Sequence, residues 1–316
     1  MAWHGPADGE SFTHPAVFYR STEEYLATMV PFVLAGQAVG EPVAVAVPGA
    51  NLVAVREEVA GRGGRVEDVR WLDMTEAGRN PGRIIPAVLR AFADEHADRR
   101  VRVIGEPVWA GRTDAEYPAC VQHEALINAA FEGRRATIVC PYDARRLGAV
   151  ALADAAATHP ILVDDGRSRT SQDYDPDRIV SAYNQPLAAP DDAAEFLITA
   201  SGLGEIRRWA TSAAATHGVD DDRWADVALV VTELATNSLE HGTGDARLRV
   251  WHTGTDLVFQ TANMGRMSDP LVGRRPVPAN ALRGRGLLTV NLMSDLVRVH
   301  TARDRTTVRA CFRLAA

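Results

Sequence analysis

Residues 12–160 alternate between strand-like and helix-like segments, and this alternation constrains the fold more than any other feature of the sequence. The strand-like segments are rich in β-branched residues and are bounded by Gly, Pro or acidic residues, at 42–49, 65–74, 100–108 and 134–143. Helical patterns accompany them at about 51–61, 83–97, 115–131 and 144–157. This order predicts an α/β domain, with a RecA-like, mostly parallel sheet and helices on both of its faces.

The second part of the chain shows a different pattern, in which helices come first and strands follow. Two helical patterns precede four strand patterns, with a short helix before the last two strands, at about 192–216, 221–241, 248–252, 256–263, 284–294, 296–301 and 307–314. This order predicts an α+β sandwich with an antiparallel sheet. Residues 164–191 are rich in Asp, Ser, Pro and Gln, and we interpret them as a linker between domains at 12–163 and 192–316.

The composition narrows the range of functions. The 316 residues include 34 Lys and Arg against 41 Asp and Glu, and every one of the 34 basic residues is arginine. The net charge of −7 gives no indication of direct nucleic-acid binding. The lack of lysine excludes a Walker A phosphate loop and a Schiff-base lysine. The sequence shows neither a signal-peptide pattern nor an apolar run of membrane-spanning length, so we expect a cytoplasmic protein without membrane contact.

One face of the predicted helix at 221–241 carries a regular series of polar residues. Glu233, Asn237 and His241 follow one another at intervals of four, and an apolar stripe occupies another face of the helix. The polar face is either a solvated surface or the wall of a cleft, and the spacing alone leaves both interpretations open. In a cleft, the Asn237 oxygen suits Mg²⁺ beside phosphate oxygens, and Glu233 can polarise an attacking water or hydroxyl.

Two glycine-containing segments downstream favour the cleft. An Asn-x-Gly sequence, Asn263–Gly265, follows a predicted strand. A predicted helix then opens with Gly284, Arg285, Gly286 and Leu287. Glycines at a helix N-terminus let backbone N–H groups approach a phosphate, and the helix dipole favours the anion. A pair of glycines alone is a weak signal, but the ordered series of all three motifs is much more specific.

The three motifs together resemble the Bergerat-type ATPase fold of the GHKL superfamily. Within it, ELATNSLEHG and GRGLLTVNLMSDLVRV are similar to the anti-sigma-factor kinases of the RsbW type. The resemblance implies ATP and Mg²⁺ held under a mobile lid at about 266–283. It implies that Glu233 is the catalytic base and that Asn237 is the Mg²⁺ ligand. It also implies a sigma factor or an anti-anti-sigma (STAS) protein as the partner.

The same resemblance assigns the nucleotide contacts. The residues that it implies are Asn237, His241, Asn263, Gly265, Gly284, Arg285, Gly286 and Leu287. Asn263 stands where the family usually has an Asp that accepts a hydrogen bond from adenine, and an Asn oxygen accepts that bond without a charge. Met267 stands where a second glycine is expected. His241, at the end of its helix, is either a capping residue or a residue that faces phosphate.

Polar residues follow the strand-like segments of the first half, at the positions where parallel sheets bind ligands. Asp73, Glu106 and Asp143 stand there, and each is either a helix cap or turn residue or a member of a site. A second group on one predicted helix consists of Cys120, His123 and Glu124. With His14 from elsewhere, this group leaves three interpretations open: a metal site, a ligand contact, or a buried structural Cys/His pair.

Several blocks of the first half, among them DMTEAGRNPGRIIP and GEPVWAGRTDAEYPACVQHEALINAAF, resemble the MEDS domain over about residues 14–160. The resemblance implies a RecA-like sensory domain that lacks the phosphate loop, in agreement with the missing lysine. It also implies a small, hydrocarbon-like ligand. The residues expected to line its site are His14, Tyr19, Glu106, Trp109, Cys120, His123 and Glu124.

Two further segments, NQPLAAP and SDPLVGRRPVP, are similar to RsbA-type anti-sigma regulatory proteins, which pair a MEDS domain with an RsbW-like ATPase. The resemblance implies a signalling regulator in sigma-factor partner switching, in which a small molecule controls an ATP-binding module. It leaves open whether the module is a protein serine/threonine kinase and whether the chain forms a homodimer. The alternatives are a sequestering module that needs no nucleotide and a thiol- or metal-based sensor.

Overall fold

The computed structural model describes residues 12–242, 246–277 and 284–315 of the chain. The chain divides into two compact units, and the boundary falls between Tyr183 and Asn184. Within the described ranges, no helix has both the length and the apolar character that crossing a bilayer requires.

The first unit is built on an eight-stranded sheet in the part of the chain that the structure describes. Its strands are β1 (Phe12–Thr13), β2 (Pro15–Tyr19), β3 (Val43–Val47), β4 (Val69–Asp73), β5 (Val101–Gly105), β6 (Ala136–Asp143), β7 (Ile161–Asp164) and β8 (Arg167–Thr170). Their order is β4-β3-β5-β6-β2-β7-β8, with β1 beside β6, and all pairings are parallel except β7 with β8. Strand β3 is buried along its whole length, as expected of a strand covered on both faces. The predicted α/β class is confirmed.

Helices pack around this sheet. They are α1 (Thr22–Ala38), α2 (Gly49–Gly61), α3 (Met74–Ala77), α4 (Pro81–Arg83), a π-helical segment (Ile84–Leu89), α5 (Arg90–Glu95), α6 (Tyr117–Ala130), α7 (Ala149–Thr158) and α8 (Pro176–Ala182). The helix predicted at 83–97 therefore contains a π-helical segment. That segment includes Pro86, which has no N–H to donate to the helical ladder.

The segment expected to be a linker, 164–191, contains regular structure in its first part. The β7–β8 hairpin and α8 belong to the first unit. Asp175 caps α8 by accepting a hydrogen bond from the Arg178 amide at 3.0 Å. Ile179 of α8 is buried in a cluster with apolar residues of α6 and α7. The polar composition of 164–191 did not indicate these elements, because every residue of β8 is exposed and Ile179 is the one buried residue of α8.

The rest of that segment lies along the sheet of the second unit. Asn184 accepts a hydrogen bond from the Thr301 amide at 2.9 Å and donates one to the Thr301 carbonyl at 2.7 Å. The carbonyls of Leu187 and Ala188 accept hydrogen bonds from Gln260 Nε2 at 3.2 Å and from Arg309 Nη2 at 2.6 Å. The segment NQPLAAP is therefore attached to its own unit by specific hydrogen bonds.

The second unit packs helices against one antiparallel sheet. Its strands are β9 (Ala194–Ile198), β10 (Ala246–His252), β11 (Asp256–Met264), β12 (Leu296–Thr301) and β13 (Arg305–Arg313), in the order β12-β13-β11-β10-β9. Its longer helices are α9 (Leu203–His217), α10 (Trp224–His241) and α11 (Gly286–Met293). Apolar side chains of these helices form one core with alternate residues of the central strands, such as Leu257 and Phe259. The predicted α+β sandwich is confirmed.

The helix predicted over 192–216 is wrong in its first part, where the structure has strand β9. Residues 194–198 pair antiparallel with β10, with Ile198 opposite Ala246, and α9 begins only at Leu203. Ile198 is the one buried residue of this five-residue edge strand. The local pattern was too short to reveal a strand whose partner lies about fifty residues further along the chain.

Candidate functional site

The first candidate site lies where α10 and α11 meet in the second unit. Glu233 and Asn237 lie one turn apart on α10, and Gly286 is the first residue of α11. A β-carbon at Gly286 would lie 2.9 Å from Glu233 Oε2 and 3.0 Å from Asn237 Oδ1. Both polar side chains therefore converge on the start of α11, where a β-carbon would require the ends of these side chains to move. We name this place the α10–α11 cleft.

The electrostatics of the α10–α11 cleft suit an acid–base group beside an anion. Burial raises the pKa of the half-buried Glu233 above its ordinary value, and the nearby Glu240 raises it further. A carboxylate with a raised pKa is a stronger proton acceptor. The start of α11 carries the positive end of that helix dipole, which favours anions. The cleft thus combines a proton acceptor, a neutral amide oxygen and a positive helix end.

The end of β11 lies against the end of α10. A β-carbon at Gly265 would lie 3.0 Å from the His241 carbonyl oxygen, and Gly265 has a φ of 133°, which favours glycine. A β-carbon at Gly242 would lie 3.3 Å from Asn263 Cβ. Asn263 Oδ1 is buried and accepts no hydrogen bond from any described residue. A buried acceptor without a donor is costly, so this oxygen is suited to a donor on a bound molecule.

The described part of the expected lid packs on the domain. The Met267 side chain contacts the hydrophobic core. Gly273 has a φ of 73°, and its carbonyl accepts a hydrogen bond from Asn291 of α11 at 2.9 Å. Residues 278–283, the remainder of the expected lid, lie outside the described residues. A lid function for 266–283 stays a prediction.

The other residues predicted to contact nucleotide lie at the start of α11 and at the end of α10. Gly284 has a φ of 90° and open space around it. Arg285 is the N-cap of α11, and its carbonyl accepts a hydrogen bond from the Thr289 amide at 2.8 Å. The Leu287 side chain belongs to the hydrophobic core, so only its backbone can face the cleft. His241 is exposed at the end of α10.

The second candidate site is a pocket of about 550 Å³ at one edge of the first unit's sheet. It lies beyond the carboxyl ends of β2, β3, β5 and β6, where parallel sheets bind ligands. We name it the sheet-edge pocket. The predicted sensory residues that line it are Tyr19, Glu106 and Trp109. Other residues that line it include Tyr25, Asn51, Asp143, Arg145 and Arg146. Its volume suits a small molecule.

Glu106 is the most perturbed acid of the sheet-edge pocket. Its side chain accepts hydrogen bonds from Asn51 Nδ2 at 2.9 Å, from Tyr19 OH at 3.3 Å and from Tyr25 OH at 3.5 Å. Burial raises the pKa of Glu106 to about 8, although these three donors act in the opposite direction and Asp143 adds a smaller increase. Glu106 is therefore mostly a neutral carboxylic acid near neutral pH.

A third group of polar residues is buried inside the first unit. It consists of His14, Glu124, Cys140 and His159, and we name it the buried cluster. Glu124 Oε2 lies 3.2 Å from the Nε2 atoms of both histidines. Burial and the neighbouring His159 lower the pKa of His14 to about 4. Burial also raises the pKa of the Cys140 thiol well above its usual range.

The seven predicted sensory residues thus fall in three places. Tyr19, Glu106 and Trp109 line the sheet-edge pocket, whereas His14 and Glu124 belong to the buried cluster. Cys120 and His123 are buried on α6, and neither lines that pocket or belongs to that cluster. Tyr25 and Asn51 of the sheet-edge pocket and His159 of the buried cluster were not among the predicted site residues. His159 is the C-cap of α7, two residues before β7, a position that becomes informative only once the strand order is known.

The first unit is an α/β domain and the second is an α+β sandwich, and a different protein family matches each of them. Residues 13–160 match the MEDS family, described as the methanogen/methylotroph, DcmR sensory domain. Residues 198–312 match the histidine kinase-like ATPase domain family. The chain therefore carries a MEDS domain followed by a histidine kinase-like ATPase domain. These matches confirm the resemblance of the first half to the MEDS domain and of the second half to the GHKL ATPase fold.

Comparison with individual proteins adds little to this assignment. No curated protein matches the chain in sequence. Among solved structures, the chain is similar to the RsbU and RsbW domains of Rv1364c from Mycobacterium tuberculosis, with 17% identity and a TM-score of 0.31. The similarity covers 40% of this chain and spans about a third, 34%, of the length of that chain.

Proposed function

We propose that the second unit binds ATP with Mg²⁺ in the α10–α11 cleft. The observation that carries this proposal is the convergence of Glu233 and Asn237 on Gly286, within 3.0 Å of a β-carbon at that position. Asn237 Oδ1 is the magnesium ligand, and the start of α11 receives the phosphates. Asn263 Oδ1 accepts a hydrogen bond from the adenine amino group. Its burial without a donor among the described residues supports that role.

The proposed output is control of a partner protein in sigma-factor partner switching. ATP, when bound, supplies a phosphoryl group for transfer to a serine or threonine of an anti-anti-sigma protein. Glu233 accepts the proton of that hydroxyl, and the raised pKa of Glu233 supports the assignment. The unphosphorylated partner and a sigma factor compete for the second unit, so phosphorylation changes which of them is bound.

The proposed input is a small molecule in the sheet-edge pocket of the first unit. Glu106, as a neutral acid, offers the ligand a hydrogen bond, and Tyr19 and Asn51 fix its orientation. The ligand changes the balance between two states of the protein, and this balance sets the activity of the second unit.

Phosphoryl transfer tests the proposal directly. The chain is incubated with γ-labelled ATP, Mg²⁺ and candidate STAS partners from the source organism. We expect label on a serine or threonine of one partner and a rate about 10²–10⁴-fold lower for Glu233→Gln. Glu205→Gln removes an exposed acid from α9 and serves as the matched control. Labelling by Glu233→Gln at the rate of Glu205→Gln would contradict the role of Glu233.

A sequestering module that needs no nucleotide is the second candidate function. The Met267 side chain packs into the core at the position of an expected glycine, and Asn263 replaces the usual acid. Both features favour a pocket that no longer binds nucleotide. In that case the chain binds its partner with the same affinity with and without Mg²⁺–ATP. A pull-down of the partner in the two conditions compares these affinities.

A further inference from the structure

We propose that the first unit binds one divalent transition-metal ion, best matched by zinc, through His14, Glu124, Cys140 and His159. The four side chains are at most 1% exposed. One ligand atom from each residue lies within 4.8 Å of all the others. This site is separate from the sheet-edge pocket and does not depend on the proposed function.

The distances within the buried cluster match a tetrahedral metal site. Glu124 Oε2 lies 3.2 Å from His14 Nε2 and 3.2 Å from His159 Nε2. His14 Nε2 lies 3.3 Å from Cys140 Sγ. Four ligand atoms at about 2.1 Å from a central zinc ion would be separated by about 3.4 Å. Three of the six ligand–ligand distances therefore already fit such a site, and the other pairs lie within 4.8 Å.

The hydrogen bonds outside the cluster set the tautomers of both histidines. His159 Nδ1 lies 2.9 Å from the Ala155 carbonyl oxygen, which can only accept, so Nδ1 carries the proton. Asn128 donates its amide to the Thr158 carbonyl at 2.9 Å, which leaves its oxygen to accept from His14 Nδ1 at 3.3 Å. Both Nε2 atoms therefore face the cluster. Metal-binding histidines characteristically donate their outer N–H in this way.

A cation satisfies the inward-facing atoms better than a proton does. His159 Nε2 and both carboxylate oxygens of Glu124 are buried, and none of them makes a hydrogen bond with a described residue. One proton can bridge only one of the contacts that converge on Glu124 Oε2. A metal ion bonds to all four ligand atoms at once. Cys140 binds as the thiolate and releases its proton to solvent.

The donor set selects the type of metal. Imidazole nitrogen and thiolate sulfur favour zinc and its neighbours in the first transition series, whereas Mg²⁺ and Ca²⁺ prefer oxygen ligands alone. The ligands come from the β1–β2 junction, α6, β6 and the C-cap of α7. One ion would therefore join four separate elements at the middle of the first unit.

Metal content of the purified full chain tests this proposal. The protein is produced in zinc-supplemented medium, dialysed against a chelator and measured by elemental mass spectrometry. We expect about one zinc per chain for the wild type and at least a tenfold loss for Cys140→Ser. Cys311→Ser changes a buried cysteine of the second unit and serves as the matched control, with zinc retained.

Cobalt supplies a readout that does not depend on the folding of a variant. Wild-type protein produced with Co²⁺ in place of zinc should show a thiolate-to-cobalt charge-transfer band and the strong visible bands of a tetrahedral site. The absence of these bands would overturn the proposal. Equal zinc content in the wild type and in folded Cys140→Ser protein would also overturn it.

Discussion

Replacement of Glu106 by glutamine should remove a large pH-dependent loss of stability. The pKa of Glu106 rises from an ordinary 4.5 to about 8 in the folded protein because the side chain is buried. A raised pKa means that the unfolded chain loses this proton first. Below about pH 4.5 the residue therefore costs no stability, and the cost grows as the pH rises toward 8.

The size of the effect follows from the two pKa values. Each pKa unit corresponds to about 1.4 kcal/mol, so the ionisable Glu106 lowers the free energy of unfolding by about 5 kcal/mol above pH 8. At pH 7 the reduction is about 3 kcal/mol, and at pH 5 it is below about 1 kcal/mol. Glutamine keeps the shape of the side chain and can still accept from Asn51, while the Tyr19 hydroxyl can turn to accept from its amide.

Urea unfolding of the wild type and of Glu106→Gln at a series of pH values measures this difference. We expect the variant to gain about 4 kcal/mol over the wild type between pH 5 and pH 9. Glu57→Gln, which changes an exposed acid of α2, should follow the wild-type profile. Parallel stability profiles for the wild type and Glu106→Gln would refute the argument that burial keeps Glu106 neutral.

Two further substitutions test contacts elsewhere in the chain. Gly286→Ala should displace the side chains of Glu233 and Asn237 that meet at the start of α11, and nucleotide binding should weaken at least tenfold. Gly254→Ala, at a position with open space around it, should leave nucleotide binding unchanged. Calorimetric titration measures the nucleotide affinity of both variants. Asp154→Ala should release α8, because Asp154 accepts hydrogen bonds from two tyrosine hydroxyls, at a cost of about 1–3 kcal/mol. Hydrogen exchange of α8 checks this, and unchanged protection there would contradict it.

The sequence predicted the parts of the fold that depend on local periodicity. The spacing of Glu233 and Asn237 places them on one helical face whatever the tertiary structure is. The position of Gly286 at a helix start followed from the same local pattern. Strand β9 and helix α8 escaped prediction because each contributes one buried residue, Ile198 or Ile179, and gains its stability from distant partners.

The buried cluster shows the limit of prediction from spacing. Cys120, His123 and Glu124 lie close together in the sequence, yet the cluster includes only Glu124 of these three. Cys140 and His159 join it because β6 and β7 both flank β2 in the sheet, an order that no local pattern encodes. Ligands from separate elements become visible only when the strand order is known.

Titration of the full chain with Mg²⁺–ATP tests the central claim most directly. We expect saturable binding in isothermal calorimetry, at least a tenfold weaker affinity for Asn237→Ala, and wild-type affinity for Glu205→Ala, which changes an exposed acid of α9. Binding should also weaken when Mg²⁺ is removed, since Asn237 acts through the metal. Absence of binding to the wild type, or equal affinity for the wild type and Asn237→Ala, would contradict the account.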